Sequence, residues 1–115
     1  MNNEFEVLVT ANEYIDNLKN GANKVTDYIE VGNEQEGIGL IPLIADGVEW
    51  LLNAIDLTKN IHKGTIDTIK ISEKLCEIVE ALENEDYILV GDLFKYEILD
   101  ILEEIQNNIK KVIAN

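Results

Sequence analysis

Apolar residues recur along this chain with the period of an α-helix, in four successive runs. In the first, Tyr14, Leu18, Ala22, Val25 and Ile29 stand three or four residues apart, the spacing that stacks side chains on one helical face. In the second, Ile38, Ile41, Ala45, Val48, Leu52 and Ile55 keep the rhythm, and Leu40, Leu43, Ile44, Trp50 and Leu51 widen the apolar surface beyond a stripe. A helix that is apolar on most sides has to be covered on more than one, so this one is the expected centre of the fold. Ile71, Leu75, Ile78 and Leu82 form the third run, with Ile69, Cys76 and Val79 beside it. The fourth passes through Val90, Phe94, Ile98, Ile101, Ile105, Ile109 and Val112.

Local signals mark the ends of these runs. Thr10-Ala11-Asn12-Glu13 reads as a capping box, in which two side chains satisfy orphan backbone donors, so the first helix is expected to begin there. Residues 1–9 are then an N-terminal tail or extension; Phe5, Val7 and Val9 leave a short strand, a tail or an early helical turn equally open. Gly32-Asn33 supplies a residue at ease with positive φ and then an N-cap. Gly37, Gly39 and Pro42 predict a kink, or a helix that starts only near Leu40 or Ile41, because proline lacks the backbone donor and crowds the preceding turn. The stretch from Asn60 to Gly64 is the next break, with Thr65 as cap, and Asn84-Glu85-Asp86 is the last. The fourth helix then runs from about Asp86 to Ile113, with Lys110 and Lys111 at its carbonyl end, where cations are favoured. Helices of roughly 20 residues, about 30 Å long, joined by short loops have to run antiparallel. The expected fold is all-α: an up-down-up-down four-helix bundle over residues 10–115.

Composition adds that the chain folds and narrows what it meets. Its 115 residues are 46% hydrophobic and 28% charged, ample for one core and far from the mixture that stays disordered. The net charge of −14 and pI near 4.2 repel phosphate backbones and anionic lipid, so neither nucleic acid nor a membrane is an expected partner. A basic protein segment or a divalent cation suits the field better, although acidity most often serves solubility alone. Residues 1–6 are polar and acidic rather than signal-like, and no apolar run approaches the roughly 18 residues of a span. A cytoplasmic protein is expected. Cys76 is the single cysteine, which leaves no disulfide within the chain and no cysteine zinc site.

Catalytic constellations do not assemble. His62, the one histidine, falls in the loop between the second and third helices and has no glutamate three residues before it; a di-metal carboxylate site needs such pairs, so His62 is expected to be solvated. Cys76 on an apolar helical face reads as an inert core thiol, and Ser72, the only serine, has no histidine in its helix. The glycine-rich stretch 37–42 lacks the third glycine and the Lys-Ser/Thr tail of a phosphate loop. No catalytic residue, cofactor or metal is expected. Glu97 stands beside the buried stripe, three residues after Phe94, where it pairs with a lysine, accepts from Tyr28 or Tyr87, or is hard to ionise; it serves either recognition or helix register. Trp50, Tyr87, Phe94 and Tyr96 are interface anchors or core filler, and with Glu97 they are the candidate interaction residues.

These residues support an interaction module, adaptor- or chaperone-like, that presents an apolar face of helices two and four to a protein partner or to a second copy in a homodimer. The alternative is an enzyme or small-ligand binder with an acidic pocket lined by Glu49, Asp92, Tyr96 and Glu97.

Two stretches, Leu40-Ile41-Pro42 with residues 46–51, and residues 86–99, resemble a family of small all-helical proteins of Gram-positive bacteria. Gly91 and Lys95 depart from the alanine and glutamate of that family's pattern. The resemblance implies the helical fold and supplies no chemistry. In architecture alone the chain is also similar to flagellar export chaperones, acidic bundles that bind an amphipathic helix of a secreted partner.

Overall fold

The computed structural model describes residues 3–114; Met1 and Asn2, part of the expected tail, lie outside them. The chain forms α1 (Asn3–Glu30), α2 (Glu34–Leu57), the single turn α3 (Lys59–His62), α4 (Ile69–Glu83), α5 (Tyr87–Asp92), a π-helical turn (Leu93–Ile98) and α6 (Leu99–Ile113). The last three run on without interruption and make up the fourth helix expected from the sequence. There is no strand among the described residues.

Helix α1 begins seven residues before Thr10, so the capping-box reading is corrected: Thr10 lies within the helix. The row of buried side chains explains this. Leu8 and Ala11 precede Ile15, Leu18, Ala22 and Val25 in the same three-and-four progression, and burying them stabilises the extra turns more than a local cap would. The helix stops at Gly32, whose φ of 86° is the left-handed conformation expected of it. The amides of Gly32 and Asn33 reach back to the carbonyls of Ile29 and Tyr28, the paired bonds that close a helix C-terminus.

Helix α2 does not wait for Pro42. It starts at Glu34 and carries Pro42 inside it, which corrects the expected broken start. Pro42 is on the exposed side, where water can stand in for the missing donor, and Glu34 and Glu36 favour the positive end of the helix. By length and mean hydropathy, 1.5 over an 18-residue window, α2 would also pass for a membrane span, contrary to the expectation that no run comes near one. A core helix passes the same test, and here one face of α2 is packed on α1.

That packing is close because glycines form it. A Cβ on Gly47 would lie 2.6 Å from Leu18 Cδ2 and from the Tyr14 hydroxyl, one on Gly21 3.2 Å from Ile44, and one on Gly37 3.2 Å from Ile29. The paired numbers run in opposite directions, so α1 and α2 are antiparallel. Gly91 against Ile29, Lys95 bonded to Glu30 and Gln106 bonded to Asp16 give the same result for α1 and the fourth helix. Lys70 on Glu104 fits an antiparallel α4. The up-down-up-down course follows.

The central element is α1, not α2. Along its 28 residues α1 takes α2 on one side and α5, the π turn and α6 on another, while α4 lies against that last rod. The result is an elongated bundle of 48 × 20 × 19 Å. The core holds Phe94, Ile15, Leu51, Ile71, Ile98 and Leu102, all essentially inaccessible. Helix α4 has 15 residues rather than about 20, beginning at Ile69 instead of Thr65, where Asp67 Oδ1 accepts from the Ile69 amide at 2.8 Å. It buries only Ile71, Ile78 and Ala81. Cys76 faces away from that row and is exposed, which corrects its reading as a core thiol.

The π turn has a visible cause. Val90, Phe94, Ile98 and Leu102 are all buried at steps of four, and an ideal α-helix would rotate that row by about 40° per step. The wider π turn takes out the drift and keeps all four facing inward.

Candidate interaction surface

Outside its buried row, α2 carries Leu43, Trp50 and Leu57, which are 67%, 41% and 72% exposed. They are seven residues apart, so they form nearly one line on the helix, about 21 Å long over four turns. The opposite side of α2 carries Ile41, Ile44, Val48, Leu51 and Ile55, and these fill the core. Trp50 leans edge-on against Tyr14 of α1, ring centres 5.0 Å apart at 71°. That contact supports one side of the indole while the residue stays 41% exposed.

Beside this row two adjoining clefts of about 350 and 470 Å³ lie between α1 and α2. Lys24 and Leu40 line both; Tyr14 and Leu43 belong to the first, Tyr28 and Val31 to the second. The first cleft is mostly apolar and has Gly21 in its wall, where α1 and α2 approach closely, whereas the second also carries Lys24, Asp27, Asn33 and Glu36.

The remaining sequence-predicted residues are not gathered here. Phe94 is completely buried and serves as core filler, so it cannot contact a partner. Tyr87 is half-buried and Tyr96 is 60% exposed beneath the Lys95 ammonium, 5.4 Å from its ring centre. Exposed Ile88 and Leu89 give the fourth helix a smaller apolar patch. Glu97, half-buried, lines a shallow cleft of about 260 Å³ with Lys70, Lys74, Asp100 and Glu104. Lys74 does not close on it, bonding Glu77 instead, and that bond and the surrounding carboxylates raise the Lys74 pKa. Glu49, Asp92 and Tyr96 are turned to solvent. Leu57 is the residue of this exposed line that sequence reasoning missed; its signal is the seven-residue interval from Leu43 through Trp50.

Residues 6–108, most of α1 and α6 with everything between, match the domain of unknown function DUF8042. The chain belongs to that family. No curated protein and no solved structure matches it.

Within this DUF8042 bundle one buried polar cluster joins α1 to α6. Gln106, 3% exposed, donates to the Asn12 carbonyl at 2.9 Å and to Asp16 Oδ1 at 3.0 Å, and accepts from Lys19 Nζ at 2.6 Å. Lys19 also pairs with Glu103, whose carboxyl it holds below its ordinary pKa. This cluster pins α1 to α6, the role considered for Glu97; its sequence signal is that Gln106 falls four residues past buried Leu102. Lys95 is raised by its bond to Glu30 and ties the far end of the same helix pair.

His62 is buried rather than solvated, which corrects the loop reading. Its Nε2 lies 2.7 Å from the Ile55 carbonyl and its Nδ1 accepts from the Gly64 amide at 3.1 Å. Only the neutral Nε2–H tautomer satisfies both partners. With Thr58 bonded back to Ala54 and Ile55, the imidazole latches the α2–α4 connection, and neither nitrogen is left for a metal or a proton relay. No group of three His, Cys, Asp or Glu side chains gathers to hold a metal ion among the described residues.

Proposed function

We propose that the protein is a non-enzymatic interaction module of the cytoplasm, adaptor- or chaperone-like, which offers the outer face of α2 to a helix of a protein partner. The observation that supports this most directly is the exposed line Leu43, Trp50, Leu57. A single exposed leucine is ordinary on a protein surface. Three large apolar side chains aligned over four turns, beside an apolar groove, form the kind of patch that a partner helix covers through anchors one or two turns apart. Trp50, held by Tyr14, supplies the rigid aromatic that such contacts centre on. The exposed, unpaired thiol of Cys76 suits a reducing compartment.

The alternative of a ligand pocket lined by Glu49, Asp92, Tyr96 and Glu97 draws no support from any observation. Glu49 belongs to α2 and the others to the rod on a different side of α1, and the cleft that Glu97 lines is shared with Lys70, Lys74, Asp100 and Glu104 rather than with Glu49, Asp92 or Tyr96. A photo-crosslinking amino acid placed at Leu57 tests the interaction reading in the cells that make the protein. A discrete adduct at position 57, and none from the same group at exposed Glu73, is the expected result. Equal labelling from both positions, or none from either, would remove the basis for the proposal.

A further inference from the structure

The charges bordering the exposed line select its occupant. Helix α2 has five carboxylates, Glu34, Glu36, Asp46, Glu49 and Asp56, and no basic side chain. Asp46 falls between Leu43 and Trp50 on the same exposed side. Glu36 continues their line one heptad earlier, and Glu49 flanks it. Asp56 is matched by Lys59 at 2.8 Å, but Glu36, Asp46 and Glu49 make no ion pair among the described residues. The α1 bank of the groove offers one cation, Lys24, together with Asp27, while Glu36 lines the same cleft from α2. The apolar line is thus bordered by uncompensated negative charge on a chain whose net charge is −14.

A second copy fits this surface poorly. A two-fold dimer across α2 brings one patch against itself, so the carboxylates of each copy would meet those of the other. Anionic lipid is repelled for the same reason. A helix with leucine-like residues on one side and lysine or arginine on its flanks satisfies both the apolar line and the acidic border.

Building on the interaction reading above, we infer that the occupant is a basic amphipathic helix of a different protein. It lays its apolar side along Leu43, Trp50 and Leu57 and its cations over Asp46, Glu49 and Glu36. To span the line it needs at least about 14 helical residues, at about 1.5 Å each.

Trp50 is the only tryptophan in the chain, so its emission reports occupancy of this face directly. The probes are three synthetic helical peptides of about 18 residues that share one leucine face, with lysine, glutamine or glutamate on the polar side. The lysine peptide shifts Trp50 emission to the blue and binds at least tenfold more tightly than the glutamine peptide, or about 1.4 kcal/mol, while the glutamate peptide binds more weakly still. Raising salt from about 0.1 M to about 1 M, which shortens the Debye length from about 10 to about 3 Å, weakens the lysine peptide at least tenfold. Leu43→Asp/Leu57→Asp, at two exposed positions and with unchanged helical circular dichroism, abolishes its binding.

Equal affinity for all three peptides would overturn the basic-helix assignment while leaving the interaction reading intact. A dimer in light scattering that the double variant dissociates would assign the face to a second copy, and a Trp50 shift with zwitterionic vesicles but with no peptide would assign it to lipid; either overturns the inference. A monomer whose Trp50 responds to none of these probes would sink the inference and the interaction reading together.

Discussion

Gln106→Glu tests whether the polar cluster between α1 and α6 sets their register. In the native protein the Gln106 amide donates to the Asn12 carbonyl and to the Asp16 carboxylate and accepts from Lys19. A glutamate keeps the shape and the bond from Lys19 but turns an ionised oxygen toward two acceptors. The loss is one neutral bond, about 0.5–1.5 kcal/mol, and one charge-assisted bond, about 1.5–3 kcal/mol. Repulsion from Asp16 and added attraction to Lys19 act in opposite directions. The net destabilisation near neutral pH is about 2–4 kcal/mol, and for a chain of this size each kcal/mol moves the melting temperature by about 4 °C.

The pH dependence gives the sharper test. Burial beside Asp16 raises the folded-state pKa of the introduced carboxyl above its unfolded value, so the penalty is full above the raised value and vanishes below the unfolded one. Lowering the pH from 7 toward about 5 restores a protonated donor and narrows the gap to the native protein. The comparison has to be made against the native chain at each pH. Glu103 is held down by Lys19, so its contribution is present above the unfolded glutamate pKa and is lost as pH falls through the depressed folded value. Thermal unfolding followed by circular dichroism, at dilute concentration because the pI is near 4.2, measures the gap. A variant as stable as the native protein at pH 7, or a deficit that stays constant down to pH 5, would refute the role given to Gln106.

Three further outcomes are expected. Gly47→Val forces atoms within 2.6 Å of Leu18 and Tyr14 to move and should cost about 1–3 kcal/mol by overpacking the α1–α2 contact; an unchanged denaturant midpoint would show that the closeness of the two helices is incidental. Glu85 ends α4 at a φ of 56°, with its own amide on Leu82 and that of Asp86 on Ala81, a position where glycine is at ease. Glu85→Gly should therefore raise the melting temperature by up to about 4 °C, since the left-handed conformation costs other residues about 1–2 kcal/mol and glycine's greater unfolded-state freedom takes back about 1 kcal/mol, and a lowered melting temperature counts against the assigned strain. His62→Leu leaves the Gly64 amide without its acceptor and should cost about 1–3 kcal/mol; faster hydrogen exchange at Gly64 and its neighbours is the local sign, and unaltered exchange would mean that the latch holds nothing.

Part of the exposed apolar line on α2 was legible in the chain. Trp50 and Leu43 stood out as surplus apolar residues on α2, and both remain substantially exposed. Phe94 was open as either an anchor or core filler and is core, because residue type alone does not tell which side of a helix its neighbours occupy. Cys76 and His62 exchanged places for the same reason: an apolar sequence context did not bury the first, and a loop context did not expose the second.

What the sequence determined by itself is what depends on near neighbours in the chain. The three-and-four spacing made the helices, Gly32 and the 84–86 stretch made the sharp turns, and short connections left antiparallel packing as the only course. The tertiary structure alone decided which element sits in the middle, how far α1 extends toward the N-terminus, and which side of α2 stays open to water. It also imposed the π turn, which keeps four inward residues aligned against helices distant in sequence. The physical reason is the range of the interactions: period and capping act within a turn or two, whereas burial depends on what arrives from elsewhere. Glycines at Gly21, Gly37 and Gly47 mark where α1 arrives, and the line of Leu43, Trp50 and Leu57 marks where, among the described residues, α2 stays largely uncovered.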